Sequence, residues 1–506
     1  MPKLWVLVLV QGAVAAASLV VEIVAGRMLA PYVGMSLYTW TSVIAVVLAG
    51  FSVGHWAGGY LAGWAPARAL RANGWAMVLA ALTTAGAVFL LRWLAGPTIT
   101  LLDHPVAAII ALTTLVFFLP SFFAGIPAPI LAQIALLGQP ERSGQALGAM
   151  FAAGAVGAIA GTLAAGFVFI SWLGSVGTLA VVTVVYALLA LHSFMAAGQI
   201  DGARRTSGAV ALSLALPAAL VVAALRQPDP CTRESDYFCI RVIDLSDDPS
   251  APARLMVLDH LVHGISDGTD PQAMLTPHGM MQDGLSRMRM QDRDTWSGFV
   301  IGGGTYTVPR AWADRGGIDV TVAEIDPAVT QVAQDSFWFD PDSVRVIHAD
   351  ARGVLARDDT LYDIILGDAF SDIAAPAHLI TREFFELVEA RLAPGGSFVM
   401  TVIDHTDRMD VTSALVRTLR AVFPVVELWA DPGHSPSETR RVFMLVAGEA
   451  PSPITRISHT GPVPRDAVRV AAASLERILE ARAPLILTDD FAPIDRLLGH
   501  GRNVLR

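Results

Sequence analysis

The sequence predicts a helical transmembrane bundle followed by an α/β domain, with a doubly wound parallel sheet and a small β segment ahead of it. Three observations lead there. Of the 506 residues, 54% are hydrophobic and only 16% charged, and the mean hydropathy is +0.53, too apolar for a purely water-soluble enzyme. Charge is unevenly spread: residues 1–225 hold eight Lys/Arg and four Asp/Glu, against 27 and 41 in the remainder. The acidic part alternates short β-branched runs with helical stretches, the pattern of parallel strands joined by crossover helices. Length alone calls for two or more domains. The chain divides into a transmembrane helical domain at 1–225, a linker and small β segment at 226–294, the α/β domain at 295–450 and a helical extension at 451–506. The acidic balance of the second half argues against nucleic acid as a partner, because phosphate binding calls for Lys and Arg.

In the first half, residues 4–26, 37–62, 74–94, 106–137, 146–173, 176–191 and 209–225 are apolar enough to cross a bilayer. A hydrocarbon core about 30 Å thick takes roughly 20 such residues as helix. The expected count is seven, give or take one. The first segment is too long for a signal peptide and more spans follow it, so it reads as a retained helix. The fourth is overlong and carries Pro120, Pro127 and Pro129, which makes it either a kinked helix or a helix followed by a re-entrant piece. Gly50, Gly54 and Gly58, and again Gly157 and Gly161, recur at the spacing that lets helix backbones approach closely. Glu22 and Arg27 stand near the end of the first span, either as interfacial anchors or as substrate-handling groups. His55 reads as a hydrogen-bonded packing residue.

Loop charge orients the bundle. Arg68 with Arg71, Arg142, and Arg204 with Arg205 fall in alternate loops, which the positive-inside rule makes cytoplasmic; Arg92 falls on the other side. With seven spans of an inner membrane, everything after residue 225 then faces outward. Cys231 and Cys239, the two cysteines of the chain, close a small disulfide loop in an oxidising compartment and stay free thiols in the cytosol.

In the second half, strand-like runs at 237–243 and 254–259 precede the alternating region. There, strands are expected at 299–301, 320–323, 344–348, 363–366 and 397–402, and helices at 325–334 and 382–392. A helix at 411–423 and strands at 425–429 and 442–446 follow. Open sheets of this kind bind ligands at the carboxyl ends of their strands, and that is where the motifs fall. Gly302, Gly303 and Gly304 close the first strand. Glu324 ends the second, placed to accept both ribose hydroxyls of a nucleoside. The glycine loop runs on as Thr305-Tyr306-Thr307 instead of closing with a further glycine, which favours an adenosyl ligand over a dinucleotide. Asp350 follows the third strand and can accept from an adenine amino group. Asp368 ends the fourth and projects beside such a cofactor. Each acid alone reads equally well as a helix cap or a solvated loop residue; three at three successive strand ends read as a site.

These residues resemble the spermidine synthase family, and more closely its variants fused to an amino-terminal membrane domain. The similarity runs from about 237 to 446 and is strongest at 302–310, 322–327, 348–352 and 362–396. Thr381-Arg382-Glu383-Phe384-Phe385 and Leu392-Ala393-Pro394-Gly395-Gly396 look like the family's helix and turn after its catalytic loop. The run from Glu22 to Pro31 and Thr488-Asp489-Asp490-Phe491-Ala492-Pro493 are similar to segments of the fused variants. The resemblance implies a Rossmann-like, class I methyltransferase-like sheet. It also implies aminopropyl transfer from decarboxylated S-adenosylmethionine to a diamine such as putrescine, releasing methylthioadenosine without a metal. By position it makes Asp368 the catalytic acid. Gly302–Gly304, Glu324, Asp350 with Ala351, and His263 become cofactor contacts, and His278, Ser371 and Asp372 contacts to the amine substrate. Three positions depart from the family pattern. Thr305 stands where an aspartate grips the donor ammonium, Pro277 where a tyrosine precedes the histidine, and Ser371 where a second acid follows the first.

Two other functions fit the same sequence. One is methyl transfer from S-adenosylmethionine on the same fold, since fold does not fix reaction. The other is a transporter or sensor whose soluble domain binds polyamine or nucleoside without turnover, against which the scarcity of intramembrane charge argues. Expected partners are the lipid bilayer, a small amine and a second copy of the chain.

Overall fold

The computed structural model describes residues 2–102, 104–201, 207–369, 376–433, 440–459 and 464–499. They fall into two compact units: one runs to Pro230 and takes in Glu234–Asp236, and the other holds Cys231–Arg233 and the chain from Tyr237 onward.

Among the described residues of the first unit, five stretches are long and apolar enough to cross a membrane. Helices α1 (Leu4–Val33), α2 (Leu37–Ala62) and α3 (Pro66–Leu101) carry the first three expected segments. The overlong fourth is α4 (Pro105–Gly125) followed directly by α5 (Pro127–Gly138). The break falls where Pro127 supplies no N–H to the preceding turn. The fifth stretch, Pro140–Asp201, is 62 residues long, and here the count departs from seven. It holds two expected segments, in α6 (Ser143–Ala164) and α7 (Ile170–Asp201). One continuous helix of that length would extend about 93 Å, some three times the hydrocarbon core. Gly174 interrupts it with φ 65° and ψ 178°, a conformation that glycine adopts without a Cβ penalty. The last expected segment lies in α8 (Ser207–Leu225), where Leu214–Leu225 forms a shorter apolar helix. Arg204 and Arg205 lie outside the described residues.

Backbone contact explains the glycine stripes. A Cβ on Gly54 or Gly58 would collide with the carbonyl oxygens of Phe122 and Ile126. On Gly157 or Gly161 it would collide with those of Gly12 and Ala16. Helices α2 and α6 therefore lie directly on the backbones of their neighbours, a packing role. Arg71 near the start of α3 pairs with Asp201 at the end of α7, so those two helix ends share one side of the bundle. Arg27 donates from Nη2 to the Ser235 carbonyl at 2.7 Å. The Glu234 carboxylate accepts from the backbone N–H of Ser175 at 2.9 Å, and from its hydroxyl, where α7 resumes after Gly174. His55 is not packed inside: it sits on the exposed face, bonded through Nδ1 to its own helix at Phe51 O (2.6 Å).

In the second unit, Cys231 and Cys239 form a disulfide, with Cα atoms 5.2 Å apart. Strands β1 (Arg233–Glu234), β2 (Cys239–Asp244), β3 (Ala253–Leu258) and β4 (Leu261–Asp267) make the small sheet. Among the described residues the main sheet has nine strands. β5 (Trp296–Ile301) lies at its centre, with β6 (Ile318–Glu324) and β7 (Arg345–His348) parallel to one side. On the other side run β8 (Tyr362–Gly367) and β9 (Leu392–His405), also parallel. Beyond β9 come β11 (Arg440–Gly448) and then β10 (Val425–Ala430), both antiparallel to their neighbours. The strand order reverses at β5, the switch point where doubly wound sheets open a crevice.

The segment from 451 onward departs from the helical extension expected there. It opens with a hairpin, β12 (Arg456–His459) and β13 (Arg465–Arg469), which extends the sheet beside β10. The pairing explains the hairpin: Ile457 and Ala467 are cross-strand partners, Ala467 is buried, and Ile457 lies over the open face of Gly284. Helices α15 (Ala472–Glu480) and α16 (Ile494–Gly499) follow.

Helices cover both faces of the sheet. Phe299 and Ile301 pack among side chains of α12 (Ala351–Arg357), α13 (Arg382–Ala390) and α14 (Asp410–Arg420). Val300, between them, faces α9 (Pro277–Arg289), α10 (Thr307–Arg315) and α11 (Pro327–Ser336). This is the period-two alternation of a strand buried on both sides. α9 is locked in place by Asp283, whose buried carboxylate accepts from Arg315 Nη1 and Nη2 (2.5 and 3.0 Å) and Trp312 Nε1 (3.0 Å).

Candidate active site

The sheet delivers its motifs to one edge. As β5 ends, Gly302 takes φ +92°, and a Cβ there would stand 2.8 Å from the Asp368 carbonyl oxygen. On Gly303 it would strike the Tyr306 ring, which is buried, stacked on Phe339 and bonded to Thr330 through its hydroxyl at 2.6 Å. Only a glycine loop passes between that carbonyl and that ring. Glu324, at the end of β6, lies alongside. Its Oε2 accepts the Gly303 N–H at 2.7 Å and its Oε1 the Asp326 N–H at 2.8 Å. Burial raises this carboxyl above the usual range, more than those N–H donors lower it. Each oxygen keeps a lone pair for a hydroxyl.

Asp350 is the N-cap of α12, accepting the Gly353 N–H at 3.0 Å. Its other oxygen lies 2.7 Å from His378 Nε2. Burial pushes this carboxyl up, but the His378 and Gly353 hydrogen bonds outweigh it and hold it below the usual range. His378 sits in the turn Ala377–Leu379, and its carbonyl accepts from Arg352 Nη1 at 3.0 Å. Arg352 also forms a two-pronged pair with Asp489, at 2.6 and 2.7 Å. Asp489 takes the Thr381 hydroxyl as well (2.7 Å), and with Arg352 as the leading cause its carboxyl falls to about 2.

Glu324, Asp350, Ala351, Asp368 and His263 all line one cleft of about 210 Å³, with Gly302 and Gly304 at its floor. Phe238, Leu258 and Ile325 supply apolar walls of the kind that receive a flat base. A smaller chamber of about 30 Å³ adjoins it, lined by His278, Thr276, Gln282, Gly303, Thr305 and Thr307 among others. The Thr305 and Thr307 hydroxyls are 2.7 Å apart, and Thr307 is 2.7 Å from Ser266. Ser371 and Asp372 lie outside the described residues. Among described residues no group of three or more His, Cys, Asp or Glu could hold a metal. The groups that are present (the two oxygens of one carboxylate for hydroxyls, a cap acid beside the base wall, a backbone loop without Cβ atoms) fit an adenosyl group. His378, Phe238 and Gln282 carry no local sequence signal; they join the site through tertiary packing alone.

No family model matches the chain. It is 31% identical over 193 residues to a probable polyamine aminopropyl transferase of Bifidobacterium longum (strain NCC 2705), covering 38% of this chain and 41% of that protein. It is 36% identical over 140 residues to a polyamine aminopropyltransferase of Vibrio vulnificus (strain CMCP6), 27% of this chain and 47% of that one. Over these stretches the chain is similar to polyamine aminopropyltransferases. Over 214 residues it is also 30% identical to an N-terminal histidine N-methyltransferase of Emericella nidulans, 41% of this chain and 37% of that protein. The matched part thus spans less than half the length of each of these relatives.

Against the spermidine synthase pattern, two of the three departures have structural addresses, while Ser371 lies outside the described residues. Thr305 is buried in the hydroxyl chain of the small chamber. Pro277 opens α9 at its first turn, with Thr276 capping the Gly279 N–H (3.2 Å), a placement proline favours. Among the described residues lining the chamber, Asp368 supplies the one carboxylate.

Proposed function

We propose that the chain is a membrane-anchored transferase that moves an aminopropyl group from decarboxylated S-adenosylmethionine to a small amine, a diamine such as putrescine. What carries this reading is the set of three acids, Glu324, Asp350 and Asp368, at the ends of three successive parallel strands around one cleft. Glu324 binds the ribose and Asp350 the adenine edge. Asp368 makes no side-chain hydrogen bond to a described residue, so its charge is free to hold an attacking amine in line with the carbon beside the sulfonium. A second reading, methyl transfer from S-adenosylmethionine, is favoured by the neutral Thr305 and by the likeness to a histidine methyltransferase.

Calorimetry on the full chain in lipid nanodiscs, with methylthioadenosine, both sulfonium donors and putrescine, separates the readings. We expect the nucleoside to bind, and the decarboxylated donor to yield methylthioadenosine only when amine is present. Release of S-adenosylhomocysteine from the intact donor would instead establish methyl transfer, and failure of every adenosyl ligand to bind would end both readings.

The proposal extends to the side of the membrane. The Arg71–Asp201 pair joins two helix ends that loop charge makes cytoplasmic, and a disulfide follows the last helix, as suits an oxidising compartment. We place the soluble domain on the outer face. A membrane-impermeant maleimide added to intact cells should label Cys231 and Cys239 once a reductant is present; labelling only after lysis would reverse the orientation.

A further inference from the structure

The nucleoside cleft and the small hydroxyl-lined chamber share three residues, His263, Gly302 and Asp368. This narrowing is where a group carried on the ligand's sulfur would meet whatever attacks it. Two of the three bear side chains that can take a proton, and they are held differently. His263, on β4, has Nδ1 2.9 Å from the Leu261 carbonyl oxygen. A carbonyl oxygen only accepts, so Nδ1 carries the hydrogen, and in the neutral ring Nε2 is left as a lone pair. Nε2 has no hydrogen-bond partner among the described residues, while the ring lines both cavities.

Burial favours the neutral ring. Burial lowers its proton affinity most. The Leu261 carbonyl and the Asp368 carboxylate oppose that, His278 and His260 reinforce it, and the net direction is downward. Behind His260 stand Asp259, Arg440 and Arg241.

We propose that His263, through Nε2, is the general base that removes the proton from the attacking amine, while Asp368 holds that amine in line. The assignment rests on the transferase reading above. In the step, the amine lone pair forms the new C–N bond as the C–S bond breaks, and the electron pair of that bond moves to sulfur, leaving a neutral thioether. The amine lone pair is freed when the bound ammonium gives one proton to Nε2; the imidazolium returns this proton to solvent, and the product nitrogen keeps its remaining two as an ammonium. An unperturbed imidazole is more basic than an aspartate by about 2.6 units, so it is the less uphill acceptor from an alkylammonium. Burial erodes part of that advantage but keeps the base unprotonated at neutral pH.

The test is single-turnover transfer by the full chain in nanodiscs from about pH 5 to 9, with methylthioadenosine affinity measured alongside. In the wild type the rate should fall on the acid side, at a pH below the usual imidazole value. H263Q should lose that acid limb and slow by about 100-fold, with nucleoside affinity changed less than about threefold. Added imidazole should restore part of the rate to H263A. The assignment is overturned if H263Q keeps both rate and acid limb, or if its loss of rate is matched by an equal loss of nucleoside affinity, the signature of a cofactor contact. A wild type that binds methylthioadenosine but transfers from neither sulfonium would overturn the transferase reading, and this assignment with it.

Discussion

Asp368→Asn is expected to leave methylthioadenosine affinity within about threefold of wild type while transfer falls by roughly three orders of magnitude, the effect of losing the group that holds the attacking amine in line. The separation follows from geometry. Asp368 lines both cavities, and its main chain is fixed by an N–H to the Ile301 carbonyl at 3.0 Å, so the amide can occupy the same place. What Asn cannot supply is the negative charge that holds an amine. Calorimetry for binding and labelled-donor turnover for rate check the two halves separately. A variant that lost both in step would make Asp368 part of the nucleoside site instead.

Glu324→Gln should act on the other side of that divide. A carboxylate accepts on both oxygens, and here each already takes one backbone N–H. An amide accepts on one oxygen only and turns its NH₂ toward a donor at the other, so the Gly303 turn is disturbed as well as the ribose contact. Hydrogen bonds to a charged group contribute about 1.5–3 kcal/mol, so nucleoside affinity should drop by about 10- to 150-fold. Burial raises the Glu324 carboxyl, and its protonated form is the poorer acceptor. Wild-type affinity should therefore weaken on acidification at a higher pH than an ordinary glutamate would give, and Glu324→Gln should remove that dependence. Calorimetry across pH, without turnover, reads both effects.

Much of this site was legible in the residues themselves. β5 and its glycine loop, Glu324 at the end of β6, and Asp350 and Asp368 after β7 and β8 all follow from short apolar runs ending in turn residues. In a parallel sheet, strand ends converge whatever the helices between them do. His378 was not legible. Its role comes from a one-turn helix held by Arg352 and Asp489, a contact 137 residues apart in sequence. The β12–β13 hairpin reads polar because edge strands bury one face thinly. In the bundle, apolar length located the helices, but the break at Gly174 is a matter of φ and ψ, which a long helical pattern does not announce.

The Arg352–Asp489 pair also bears on when the protein becomes competent. At about 5–20 residues per second, a ribosome that has just added Arg352 needs roughly 7–27 s to reach Asp489. Until then the turn bearing His378 lacks its clamp, while Glu324 and the glycine loop have long since emerged. On the proposed reading, a nascent chain thus carries its ribose acid before the adenine side is clamped, and ligand capture waits until Asp489 has been added.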